Sequence, residues 1–462
     1  MMQRLVVTVA TLAAATLPVG CCFSLFPPAD GPRNLIDLGD ATAVAPEVVI
    51  QAHDQVAADR LDAPPMAVAD MISGTDTMAE AWYDRWLEAM KEILIDSVEC
   101  RPITYWSRDA DEKPILLTGM LYLPRSLLPR VCPRSVPLLA YPHGTELLRE
   151  AVPSRNAGYE WEMGAAAALL AGFAVAMPDL PGMGGADPSA YHPYCHAKSL
   201  AYAVVDMIHA TREALEGDLR FRYKWDGRLY VLGYSEGGYA AMATVRELQL
   251  NEDKYGLRVT GSACMAGPYD LTGAMRRVMV DPSRHFAEPF FLPYVIFGYN
   301  AVYPGGLFAP DASINPILLP DLVTWMDGTR DGNAVDTEVV QRMGAAPGQV
   351  VPRMMMNADW VASQLDDDVY QTSDVGKILA ENNLWSGWAP NRPMLLMQSP
   401  DDNLVPYANS EKAYNEFVAA GAGGHLTFHP IGKPGDGITH IQGGMIGLPS
   451  AIIWLRDICP RD

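Results

Sequence analysis

Residues 229–240, Leu229-Tyr230-Val231-Leu232-Gly233-Tyr234-Ser235-Glu236-Gly237-Gly238-Tyr239-Ala240, run from an apolar stretch through a glycine-flanked serine into a helix-forming segment. A serine on so tight a strand-to-helix turn needs small residues two before and two after it. The backbone there is strained, and a β-carbon at Gly233 or Gly237 would clash with the neighbouring strand and helix. Such a turn holds the Ser235 hydroxyl out and points the first helical N–H groups toward a developing oxyanion. The five-residue pattern alone arises by chance in roughly one chain in ten of this length. Its position between a strand and the helical run "YAAMATVREL" is what favours a nucleophile over a plain turn.

Around this turn, short apolar runs alternate with helical patterns. "VPLLAYPHG", "FAVAMPD", "RLYVLGYS" and "LRVTGSACMAG" read as strands, with helices between them. The alternation resumes at "PMLLMQSP" and continues through "YANSEKAYNEFVAAG", "HLTFHP" and a last helix through "GLPSAIIWLRDI". This rhythm predicts an α/β fold: a mostly parallel central sheet with helices on both faces. Upstream, residues 78–96 place Met78, Trp82, Trp86, Met90 and Ile93 at helical spacing. Two β-rich runs, "PITYWS" and "PILLTGMLYLP", follow as a hairpin. Residues 268–388 break the alternation; they hold Phe290, Phe291, Tyr294, Phe297, Tyr299, Tyr303 and Met354-Met355-Met356. They read as a helical cap insertion, or as a helical subdomain whose aromatics pack among themselves.

The resulting division is a signal peptide over residues 1–22, an N-terminal arm and helix over 23–99, and core over 100–267. The cap over 268–388 and the rest of the core over 389–462 complete it. In the leader, Arg4 precedes an apolar run over residues 5–19, too short to span a bilayer but suited to a signal-peptide core. Gly20-Cys21 has the form of a lipoprotein cleavage site, although Pro18 stands where such boxes carry Leu, so Cys21 is a candidate lipid anchor. The expected location is therefore outside the cytoplasm: extracellular, periplasmic or at the cell surface. No later run is long and apolar enough for a transmembrane helix. A net charge of -21 argues against nucleic-acid or anionic-membrane partners. Five cysteines follow the leader; Cys100 and Cys132 flank the hairpin and are the expected disulfide.

In such a sheet, chemistry sits in loops beyond the carboxyl ends of the strands. After the strand ending in Met397, Asp401 and Asp402 offer a carboxylate that would fix a histidine tautomer. Asp402 has the better setting, and Asp401 reads as a helix cap. Among later histidines, His425 and His429 share a strand, whereas His440 lies in "GDGITHIQGG", a loop ahead of the last helix. The order Ser235, Asp402, His440 is that of an acyl-transfer triad. The loop "YPHGT", residues 141–145, would supply the Thr145 N–H as one oxyanion donor, with the Glu236 N–H as the other. His143 reads as a loop-shaping residue and Asp179 as a brace. His192, Cys195 and His196 could ligate zinc by type, but no second cluster completes a site. No metal and no cofactor is expected; neither a Walker-type loop nor a dinucleotide fingerprint is present.

Several spaced blocks together, "YPHGT…VPSRNAGYE", "GFAVAMPDLPGMG", "YHPYCHAKSLA", "LGYSEGGYAAMA", "PYVIFGYNAVYP" and "DDNLVPYANSEK", resemble the secretory lipase and esterase group of the α/β-hydrolases over residues 100–458. The resemblance implies a serine carboxylester hydrolase acting on a small-molecule or lipid ester, with nucleophile, acid and base at Ser235, Asp402 and His440. One departure is "QSPDD", where many relatives have His-Gly or similar before the acid. Two rivals stay open. A peptidase of the same fold would need an anchor for a substrate amine, such as paired Glu residues facing the site, which the sequence does not place. A catalytically inactive binding protein on the same scaffold is the other.

Overall fold

The computed structural model describes residues 34–46, 48, 78–91, 97–125, 132–158, 160–187, 190–303 and 305–459. The leader, Cys21 and most of the N-terminal arm therefore lie outside the described residues. Ten strands form one sheet: β1 (Leu35–Leu38), β2 (Thr42–Val44), β3 (Ser97–Arg108), β4 (Pro114–Arg125), β5 (Arg134–Ala140), β6 (Ala174–Pro178), β7 (Tyr223–Tyr234), β8 (Gly261–Met265), β9 (Met394–Gln398) and β10 (Leu426–Pro430). Their order is β1-β3-β4-β6-β5-β7-β8-β9-β10, with β2 also on β3. From β6 to β10 every pairing is parallel, whereas β1 to β4 and the β4–β6 pair are antiparallel.

The two-residue period of the strands divides the core between the two faces of this sheet. On β7, Leu229 and Val231 join one buried cluster while Tyr230, Leu232 and Tyr234 join the other. On β9, Met394 and Leu396 alternate in the same way with Leu395 and Met397. These strands are apolar on both sides because helices cover both sides. One cover contains α3 (Ala197–Glu216) and α4 (Glu236–Leu250); the other contains α1 (Met78–Lys91), α2 (Trp161–Ala166) and α9 (His440–Ile458). In α1, Trp82 and Trp86 are buried as the helical spacing predicts, with Tyr83 buried between them, whereas Met78 is half exposed; Ile93 of the same pattern lies outside the described residues.

Residues 268–388 hold α5 (Phe291–Val302), α6 (Gly332–Met343), α7 (Asp374–Glu381) and several shorter helices. Among the described residues their only strand pairing is two isolated bridges, Phe286 to Val350 and Ile314 to Met356. Further on, α8 (Ala408–Ala419) separates β9 from β10. Within 268–388 the aromatics mostly pack on one another and on core tyrosines; Tyr294 stacks on Tyr194 with ring centres 4.9 Å apart.

The expected Cys100–Cys132 disulfide is not formed. Cys100 is a buried thiol paired in register with Tyr122 across β3 and β4, and burial pushes it up to about 12. Cys132 lies beyond the end of β4, exposed on the approach to β5. In this register Cys100 lies opposite Tyr122, and Cys132 falls ten positions further along the chain.

Candidate active site

β7 runs into α4 through a single residue, Ser235, whose backbone (φ 58°, ψ -128°) is one that L-residues rarely adopt. Neighbouring glycines make this turn tolerable. A β-carbon on Gly233 would overlap the Gly237 carbonyl oxygen, and one on Gly237 would overlap the Pro142 carbonyl oxygen. Gly238 is equally constrained, since a β-carbon there would overlap the Met265 carbonyl oxygen on β8. That third requirement was not read from the sequence, because it arises from packing across the sheet rather than within the turn. The Ser235 N–H donates to the same Met265 carbonyl at 3.0 Å, which ties the strained turn to β8.

Two later segments complete a hydrogen-bonded chain from this hydroxyl. His440 Nε2 lies 2.8 Å from Ser235 Oγ, and His440 Nδ1 lies 2.7 Å from Asp402 Oδ2. His440 is not in a loop ahead of the last helix, as the sequence suggested; it is the first residue of α9. Thr439 caps that helix with a reciprocal bond to Gln442. The His440 N–H donates to Asn403 Oδ1, and its carbonyl accepts from the Tyr234 hydroxyl at 2.7 Å. The imidazole is thus fixed from both backbone and ring.

Asp402 is buried and well supplied with donors. Its Oδ1 accepts from the N–H groups of Leu404 and Val405, and its Oδ2 accepts from Gln398 Nε2 as well as from His440. Asp401 does not cap a helix. It accepts from the N–H groups of Gly435 and Gly437, bracing the loop before α9, and those bonds hold its carboxyl below the usual range. Burial pulls His440 down, but the charge and hydrogen bond of Asp402, with Glu288 and Glu160 further off, outweigh it and hold the imidazole above its ordinary value. Of the other histidines, His429 sits on β10 against the Trp82 ring, and His143 lines the cleft but bonds the carbonyls of Gly144 and Asp179.

The oxyanion candidates border the same cleft. Thr145 lies in the loop after β5 and lines the cleft with Ser235. Glu236 opens α4, so its N–H has no helical carbonyl behind it to bond. The Glu236 carboxylate turns the other way and pairs with His192 at 2.5 Å, both side chains buried. Burial lowers His192, but Glu236 more than compensates and raises it. The cluster read as zinc-like by residue type therefore has other partners: His192 backs the elbow, and His196 bonds Ser199 and Tyr303. Among the described residues no group of three metal-ligating side chains comes together. Asp179 accepts from Thr118 Oγ1 and the Ser154 N–H, joining β4 to the loop before α2.

The cleft itself takes its apolar lining from Trp161, Met163, Phe291, Leu404, Met445 and Leu448. Among the described residues of 268–388, Glu288 and Phe291 reach it. Met355 and Met356 are buried in the core and Met354 is exposed, so the methionines at the cleft come from α2 and α9 instead.

A serine on such an elbow, backed by a buried carboxylate from a strand-end loop and a histidine from the start of the last helix, sits where an α/β-hydrolase carries its chemistry. Residues 340–459 match the family model of the secretory lipases. No curated protein sequence matches. Among solved structures, the rice cell wall degrading esterase LipA from Xanthomonas oryzae is 20% identical with a TM-score of 0.68, over 92% of this chain and 97% of that one. A point mutant of the same esterase gives 21% and 0.70 over 92% and 97%. Candida antarctica lipase A in its closed state is 14% identical with a TM-score of 0.50, over 72% of each chain. At these identities the structural likeness shows the fold, which is that of the α/β-hydrolases. The family match likens residues 340–459 to the secretory lipases, the group that the motif blocks resemble.

Proposed function

We propose that this chain hydrolyses carboxylic esters by two-step acyl transfer, with Ser235 as nucleophile, His440 as base and Asp402 as the acid that orients it. The observation carrying this reading is the unbroken hydrogen-bonded chain from Ser235 Oγ through both His440 nitrogens to Asp402. His440 Nε2 takes the serine proton as Oγ bonds the ester carbonyl carbon. The Glu236 and Thr145 N–H groups would hold the resulting oxyanion, and losing one such donor costs roughly 3 kcal/mol in the barrier. His440 then returns its proton to the departing alcohol as the carbon–oxygen bond breaks. Water, deprotonated by the same imidazole, releases the acid and restores Ser235. Phe291, Leu404, Met445 and Leu448 would bind an apolar part of the ester, under a cap formed by residues 268–388. Export belongs to the same reading: residues 1–22 hold the signal, and cleavage before Cys21 would leave that cysteine as a lipid-bearing N-terminus; the mass of the mature N-terminus tests that part.

The test of the reaction is hydrolysis of p-nitrophenyl esters, from short to long acyl, by the wild type and Ser235→Ala. The expected result is turnover that depends on acyl length and falls by about 10⁴-fold or more in the variant. Turnover surviving the substitution would remove Ser235 from the mechanism. A rate flat across acyl length would remove the apolar subsite.

A further inference from the structure

Beside the apolar wall, the cleft at Ser235 has a second wall that is acidic. Glu160 and Glu162 flank Trp161 at the start of α2, and both line the cleft, as do Glu146 and Glu288. Glu162 is 1% exposed, and its Oε2 meets no hydrogen-bond partner among the described residues. Glu160 uses Oε1 to accept the Gly144 N–H at 3.0 Å. Its Oε2 is buried beside the Tyr141 hydroxyl, which draws its carboxyl down but makes no well-formed hydrogen bond with it.

Buried polar atoms are nearly always paired, because an unpaired one keeps the full cost of leaving water. Glu160 has the Tyr141 hydroxyl and the Gly144 N–H beside it, so Glu162 Oε2 is the carboxyl oxygen on this wall without a donor among the described residues, and a ligand could supply one. The sign of that ligand follows from the lining. Among the described residues the only nitrogen bases there are His143 and His440, and both are engaged with other groups. No lysine or arginine among them faces the carboxylates from within the cleft. Burial accordingly pushes Glu160 up to about 7 and Glu162 up to about 8, values that a cation beside them would bring down.

We infer that the Glu160–Glu162 wall is a subsite for a protonated amine, and that the esters this enzyme prefers carry an ammonium group on the acyl or the alcohol side. The N–H donor of an ammonium would satisfy an unbonded carboxylate oxygen and neutralise the wall at once. This rests on the ester-hydrolase reading above, and it narrows the substrate class. Apolar contacts would then hold the hydrocarbon of the ester while the amine sets its register beside Ser235.

Matched esters test it. 2-(Dimethylamino)ethyl butyrate and 3-methylbutyl butyrate differ by a protonated nitrogen for a carbon on the alcohol side. Methyl 4-(dimethylamino)butyrate and methyl 5-methylhexanoate do so on the acyl side. The ratio of kcat/KM, charged over neutral, is divided by the ratio of hydroxide-catalysed rates. It is expected to exceed ten for at least one pair in the wild type. In Glu162→Gln, and further in Glu160→Gln/Glu162→Gln, it is expected to fall toward one. The ratio cancels any general loss of activity in the variants. Ratios near one in the wild type, or unchanged in both variants, overturn the inference. Calorimetric binding of 2-(dimethylamino)ethanol separates this result from failure of the hydrolase reading. If no ester is turned over, binding lost in Glu162→Gln still supports the subsite, and absence of binding to the wild type rejects it.

Discussion

Gln398 is wholly buried at the end of β9 and engages both ends of its amide: Nε2 donates to Asp402 and to the Val405 carbonyl, and Oε1 accepts from the Ser410 hydroxyl. It acts on the proposed chemistry through Asp402, by fixing the carboxylate that holds His440. Gln398→Leu leaves the Val405 carbonyl and Ser410 hydroxyl unpaired and Asp402 with one donor fewer. An unsatisfied buried group costs about 1–3 kcal/mol, so kcat on p-nitrophenyl butyrate should fall about 10- to 100-fold with KM little changed. An unaltered kcat would make Gln398 a packing residue only. Here the sequence was informative up to a point. Ser235, Asp402 and His440 stood out because strand-end loops and chain order confine such residues, and the fold brings the three within hydrogen-bond distance. Gln398 gave one signal, its place in the departing "QSPDD" segment. Glu160 and Glu162 gave none: a glutamate pair in a helical run reads as a solvated face until tertiary packing buries it.

At the level of elements, the elbow is a three-body fit among β7, α4 and β8. Gly238→Ala sets a methyl against the Met265 carbonyl backbone, where no side chain can swing aside. Overpacking of this kind typically costs about 1–3 kcal/mol, so Tm should drop by several degrees and activity with it. Gly424→Ala, in open space at ordinary backbone angles, is the control and should leave Tm unchanged. Equal Tm for the two would refute the fit. Strands and helices around the elbow were legible because their periods of two and about 3.6 residues are imposed by burial. The start of α9 was not. Gly443, Gly444 and Pro449 are poor helix formers, and they hid a helix that begins with the Thr439 cap and carries His440 in its first turn. Asp401 was misread for a related reason: the loop it braces is distant in sequence but adjacent in space.

Across the molecule, acidity and burial work against each other, and the pH dependence of stability should expose it. Glu162 holds its proton in the fold to about 8, against an ordinary 4.5. Between those values the folded chain binds a proton that the unfolded chain has released. The contribution of this group to stability is therefore fully present below 4.5 and lost as pH rises toward about 8. Glutamine does not titrate, so Glu162→Gln should match the wild-type Tm near pH 5 and exceed it by a few degrees near pH 8.5. A gap that is constant with pH would contradict the buried, unpaired state of this carboxyl. The global plan was half legible. Alternating βαβ units marked the parallel half of the sheet and two β-rich runs marked the β3–β4 hairpin, yet β1 and β2 come from the N-terminal arm, whose irregular composition carried no period. The most direct test of the central claim is the intact mass of the protein after treatment with a fluorophosphonate, with peptide mapping. The account predicts one adduct per chain, on Ser235, absent in Ser235→Ala and suppressed in His440→Ala. No adduct, or one that persists without Ser235, would contradict it.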